Sequence, residues 1–137
     1  MTTLILTVVS LFIFFPIIGN TSEIVSPALI QATTVVSTEE SKTLYDKVVL
    51  FVEEGKDKNR DNDRVQDALQ VNLNTDFSAN NLLKEITKSG DIVIYCNDVK
   101  CLRSSKARKL AANWEFTSTF YFRDDLAGWK MVGFPVE

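Results

Sequence analysis

The stretch "CNDVKCLRSS", from Cys96 to Ser105, gathers two thiols, a guanidinium and two hydroxyls within ten residues. These are the only two cysteines of the chain, and it contains no histidine. The chemistry such a set could do starts from the thiolate, the nucleophilic form of cysteine. Backbone N–H groups, the positive end of a helix and a fixed cation all favour it over the thiol. Arg103 supplies the cation, and Ser104 or Ser105 can cap the following helix while donating hydrogen bonds. The same donors would cradle an anion. A sulfur nucleophile equipped in this way needs no general-base histidine. Spacing alone is not specific, so three readings stand on the residues: a reactive Cys96, a Cys96–Cys101 disulfide, or two inert buried thiols. Two cysteines without histidine leave a tetrahedral zinc site half empty, so no metal is expected, nor any cofactor.

The elements that must position these residues follow from hydrophobic periodicity. Asp91 to Cys96, "DIVIYC", reads as a buried strand. "SSKARKLAANW" reads as a helix with Ala107, Leu110, Ala111 and Trp114 on one face and its basic residues on the others. Cys96 therefore lies at the mouth of a strand-to-helix turn, where α/β sheets place their ligand sites. Tyr95 is expected to pack beneath that turn.

Upstream, Ser37 and Glu40 form a capping box for a helix ending near Asp46, and Val48–Glu53 is a strand. "EGKDKNRDNDR", Glu54 to Arg64, is a solvated charged loop. "ALQVNL" is a short strand, and "SANNLLKEITKSG" a helix stopping at Gly90. "STFYF" is a further strand, and "LAGWKMVGFP" a closing turn or helix in which Trp129, like Trp114, is a core or lid aromatic. Helices alternating with short apolar strands predict an α/β fold: a central parallel sheet flanked by helices on both faces.

The 137 residues suit one domain, and 45% hydrophobic with 24% charged residues is a globular composition. A net charge of -3 with scattered basic residues speaks against a nucleic-acid partner. Residues 1–22 stand apart. Leu4 to Ile18 is an uncharged apolar run broken by Pro16 and Gly19, the length of a signal-peptide core. The expectation is a signal peptide or, uncleaved, a membrane anchor over 1–22. A linker containing Pro27 over 23–32 and one domain over 33–137 complete the chain. Export favours pairing of the two thiols, and a membrane partner is expected only if the leader is retained.

At residue level, the run from Asp91 to Glu137 resembles the C-terminal half of a rhodanese-like domain. The matching features are a strand ending Tyr95-Cys96, the helix start Arg103-Ser104-Ser105-Lys106-Ala107, an aromatic strand, and an ending with Leu126, Trp129, Lys130, Gly133, Phe134, Pro135, Val136 and Glu137 in register. "VVSTEESKTLYDKVVLFVEE" is similar, more loosely, to the family's opening helix and first central strand. The resemblance implies a sulfurtransferase. Cys96 would take a sulfane sulfur from a thiosulfate-type donor as a persulfide and pass it to a thiol, a protein thiol included, or to cyanide. It implies an anion- and donor-binding loop of Asn97, Asp98, Val99, Lys100, Cys101, Leu102, Arg103 and Ser104. Cys101 would be a resolving thiol. The second cysteine in the loop resembles an exported bacterial subgroup, which implies the periplasm, or a membrane anchor facing it.

The sequence departs from the family pattern at Asp98, where the subgroup has glycine, and at Val52-Glu53-Glu54, where the family has Asp-x-Arg. It departs again at Val65-Gln66-Asp67-Ala68 and at Asp124-Asp125, the latter replacing Gly-Gly. Those departures keep two alternatives in view. One is a degenerate binding module with a Cys96–Cys101 disulfide. The other is a phosphatase or arsenate-reductase-like enzyme.

Overall fold

The chain was described from a computed structural model covering residues 33–55, 63–97 and 101–137. Its elements are β1 (Thr33–Val36), α1 (Thr38–Asp46), β2 (Leu50–Glu54), β3 (Leu69–Val71), α2 (Ala79–Glu85), β4 (Ile92–Tyr95), α3 (Arg103–Asn113), β5 (Thr119–Phe122) and α4 (Asp125–Met131). The leader and linker expected over residues 1–32 lie outside the described residues. Among the described residues no helix is long and apolar enough to cross a membrane.

Local chemistry sets the first connections. The capping box of α1 is complete: Ser37 Oγ accepts the Glu40 N–H at 3.2 Å, and Glu40 Oε2 accepts the Ser37 N–H at 2.8 Å. At the other end, the N–H of Val48 bonds Tyr45 O and that of Val49 bonds Leu44 O, so the helix closes in a Schellman turn. The turn puts Val48 at φ 60° and leaves it exposed. The strand expected from Val48 therefore begins only at Leu50, because the helix stop consumes the two preceding residues. The second helix likewise ends at Glu85, short of the expected Gly90, since Ile86 turns to extended backbone and its side chain joins the core. The strand β1 was not expected: four residues, mostly threonine and valine, sit before the capping box and form a sheet edge.

All strand pairings are parallel, in the order β1-β5-β4-β2-β3. The expected α/β architecture, a central parallel sheet with helices on both faces, is what the chain adopts. On one face Phe51, Val93, Tyr95 and Phe122 pack with Trp129 and Leu126 of α4 and with Leu44 and Tyr45 of α1. Trp129 is the hub, with Tyr45, Phe51, Phe122 and Phe134 ring centroids 5.0–6.0 Å away. On the other face Val52, Ile92 and Ile94 pack with Leu82 of α2 and with Ala107 and Ala111 of α3. Successive residues of β2 and β4 thus alternate between the α1/α4 face and the α2/α3 face, as a strand buried on both sides must.

One side chain of α3 breaks the expected amphipathic pattern. Arg108 was expected on a face other than the apolar one, yet it is fully buried. Its Nε donates to Ser104 O and its Nη2 to Ser105 Oγ, both at 3.0 Å, and its guanidinium lies over the Tyr121 ring. The aromatic face of β5 makes this burial tenable, because an arginine can stack as well as pair.

Candidate functional site

The central strand β4 ends by delivering Cys96 to the carboxyl edge of the sheet, fully buried. Two contacts from the start of α4 hold it there. The Cys96 N–H donates to Asp125 Oδ1 at 2.8 Å, and the Leu126 N–H donates to Cys96 O at 3.2 Å. Asp125 makes this contact from φ 56°, a left-handed conformation that aspartate tolerates better than most residues. Beneath the turn, the buried Tyr95 hydroxyl accepts the Val65 N–H at 3.0 Å.

Arg103 is the first residue of α3 and reaches back over the thiol. Its Nη2 donates to Cys96 Sγ at 3.3 Å and its Nε to Glu54 O at 3.1 Å. The same Glu54 carbonyl oxygen is 3.3 Å from Cys96 Sγ. The sulfur is therefore boxed between the end of β2 and a guanidinium. Cys96 is joined to Cys101 as a disulfide, their Cα atoms 6.1 Å apart. Of the three readings open on the residues, the paired thiols are the form this structure holds.

The other loop residues divide. Asn97 is half-buried, and its Oδ1 is buried without a hydrogen-bond partner among the described residues. Asp98, Val99 and Lys100 lie outside the described residues. Leu102 is exposed and occupies the N-cap of α3, where it offers no side-chain acceptor. Ser104 and Ser105, expected as caps, instead lie inside the first turn and are buried. The helix starts at Arg103, two residues earlier than a serine cap would have it, so that the guanidinium can reach the sulfur. Ser105 Oγ accepts from Arg108, while Ser104 Oγ is buried without a partner among the described residues.

Two carboxylates of the site were missed by sequence reasoning. Glu54, read as the start of a solvated loop, is fully buried as the last residue of β2. Neither of its carboxyl oxygens has a hydrogen-bond partner among the described residues. Burial pushes its pKa up to about 8; the Arg103 charge opposes this, and the neighbouring Glu53 carboxyl reinforces it. Glu53 is raised as well, again by burial first, with its hydrogen bond from Gln70 pulling the other way. A charged pair ending an otherwise apolar strand was the available signal for both. Asp125 stands out in the sequence as a departure from the rhodanese-like pattern, but its bond to the Cys96 N–H was not foreseen.

The sequence matches no family model and no curated protein. Solved structures do match the fold. The rhodanese-like domain of the Alr3790 protein from Anabaena sp. superposes with a TM-score of 0.62 at 17% identity, covering 74% of this chain and 76% of that one. A rhodanese-related protein from Thermoplasma volcanium gives 0.58 at 10% identity over 76% and 97% of the two chains. A protein of unknown function from Rhodopseudomonas palustris, described as a possible tyrosine phosphatase, gives 0.61 at 15% identity over 77% and 86%. The chain has a rhodanese-like fold, with its cysteine pair at the carboxyl edge of the central strand.

Proposed function

We propose that the protein is an exported, redox-gated sulfurtransferase in which Cys96 carries sulfane sulfur. The observation that supports this most is the Arg103 guanidinium held 3.3 Å from the sulfur that ends the central strand. In the oxidised form that sulfur is engaged with Cys101. Two-electron reduction by two external thiols, which leave as their disulfide, frees both cysteines, and Arg103 then favours the Cys96 thiolate. The thiolate attacks the outer sulfur of a thiosulfate-type donor, the donor S–S bond breaks, and sulfite leaves with the bonding pair. The loop from Asn97 to Ser104 contributes backbone donors to the anion. An acceptor thiolate or cyanide then takes the outer sulfur and returns Cys96 to the thiolate. When no acceptor arrives, the Cys101 thiolate attacks the inner sulfur of the Cys96 persulfide, and hydrosulfide leaves with the bonding pair as the disulfide re-forms. Residues 1–22 direct export to a bacterial periplasm, where such a disulfide persists until a dedicated thiol opens it.

The test is the intact mass of the reduced protein before and after thiosulfate, beside Cys96→Ser, Cys101→Ser and Arg103→Ala. The expected result is a gain of one sulfur, reversed by cyanide, absent in Cys96→Ser and retained in Cys101→Ser. Arg103→Ala should load about tenfold more slowly or worse. Full burial of the oxidised Cys96 favours a second reading, a binding module locked by its disulfide. Failure of every reduced sample to gain sulfur would favour that reading, and hydrolysis of an aryl phosphate by the reduced protein would favour a phosphatase.

A further inference from the structure

The disulfide is asymmetric: Cys96 is fully buried, whereas Cys101 is partly exposed. The register of the two central strands adds a second asymmetry. Glu53 pairs with Tyr95, so the next residues along, Glu54 and Cys96, are neighbours at the strand ends. Val52 and Ile94 pack on the α2/α3 face, so strand alternation turns Glu54 and Cys96 to that same face, at the root of α3. A fully buried carboxyl, with neither oxygen hydrogen-bonded among the described residues, is thus turned to the side of the less accessible sulfur. The chain has no histidine to serve there.

We infer that the pair is a thiol–disulfide exchange site with a fixed direction, in which an incoming thiol attacks Cys101 and Glu54 delivers the proton to the departing Cys96. The inference concerns the opening step of the proposed gated carrier, and does not depend on whether sulfur is carried afterwards. In the step, the attacking thiolate forms a bond to Cys101 Sγ, and the Cys101–Cys96 bond breaks with its electron pair on Cys96. The Glu54 carboxyl proton moves to Cys96, leaving a carboxylate. A second external thiolate then attacks the sulfur of the first, Cys101 leaves with the bonding pair and takes a proton from solvent, and the products are the dithiol and an external disulfide. The Glu54 carboxylate is left as the base that can take the proton back when Cys96 next acts as nucleophile. The groups facing Glu54 fit this role: Arg103 from α3 offsets the new charge, Glu53 on its own strand works against it, and β3 presents no titratable side chain. From α4, Asp125 is committed to the Cys96 N–H.

The experiment uses the oxidised protein and glutathione, with no sulfur donor present, so that it can succeed where sulfur loading fails. Brief reaction, alkylation and peptide mapping should find glutathione on Cys101 and the alkyl group on Cys96. Glutathione on Cys96 overturns the inference. The opening rate, expressed per glutathione thiolate, should fall by about tenfold or more between about pH 6 and about pH 9.5 as Glu54 loses its proton. In Glu54→Gln, which preserves shape without a transferable proton, the rate should be low and flat. An unchanged fall in Glu54→Gln, or a flat profile in the wild type, removes Glu54 from the step.

Discussion

Asp125 and Cys96, distant in sequence, meet in a 2.8 Å hydrogen bond from the cysteine N–H to the aspartate Oδ1. The bond fixes the backbone at the point where β4 gives way to the loop. It joins α4 to the sulfur site through a residue that accepts φ 56° to do so.

Asp125→Ala removes the acceptor and leaves a buried N–H without one, while its methyl side chain gains nothing locally from the left-handed backbone. A loss of about 2–3 kcal/mol in urea unfolding is expected. Asp125→Asn keeps an acceptor oxygen and tolerates the same φ, so it should lose less than about 1 kcal/mol. Equal losses in the two variants would show that the carboxylate charge, and not the hydrogen bond, holds the turn.

Glu54 makes stability depend on pH with a definite sign. Its folded pKa, about 8, stands above the unfolded value of 4.5, so its contribution is intact below that lower value. As pH rises through the window the unfolded chain releases the proton while the folded chain keeps it. Stability then falls by up to roughly 1.4 kcal/mol per pH unit, levelling off above about pH 8. Glu54→Gln should match the wild type near pH 4 and unfold at clearly higher urea near pH 9. Glu53 is raised in the same direction, so a smaller slope should survive in the variant. Parallel pH profiles for the two proteins would contradict the assignment.

Val48 holds the left-handed position of a Schellman turn with a β-branched side chain that is 91% exposed. No packing is lost on removing it, and relief of the backbone strain exceeds the entropy glycine costs. Val48→Gly should therefore stabilise by about 1 kcal/mol, seen as a higher thermal midpoint with unchanged site chemistry. A lower midpoint would mean that the turn is not strained by valine.

The alternation of apolar strands and capped helices made the parallel sheet legible, and the position of Cys96 with it. Periodicity reads single elements, so it was blind to what lies across the sheet. Glu54 follows Glu53 and leads into a charged run, and only the pairing of β2 with β4 turns it from a loop residue into a buried acid beside a thiol. Arg108 was misread for the same reason: its partner is an aromatic ring on β5, which no spacing within α3 announces. Ser104 and Ser105 satisfied the usual signature of a cap, but the geometry demanded by Arg103 started the helix ahead of them.

The span of the disulfide also sets what it can control. Its partners are five residues apart, whereas the sheet is closed by strands from opposite ends of the domain, with Thr33 registering on Thr119. The bond can therefore form in a nascent chain before any strand has found its neighbour, and it does not constrain the order in which they pair. None of the five strands lies between its two cysteines. In the proposed cycle, oxidation and reduction would act on the site without remaking any strand pairing, so the thiol state would carry information that the architecture does not record.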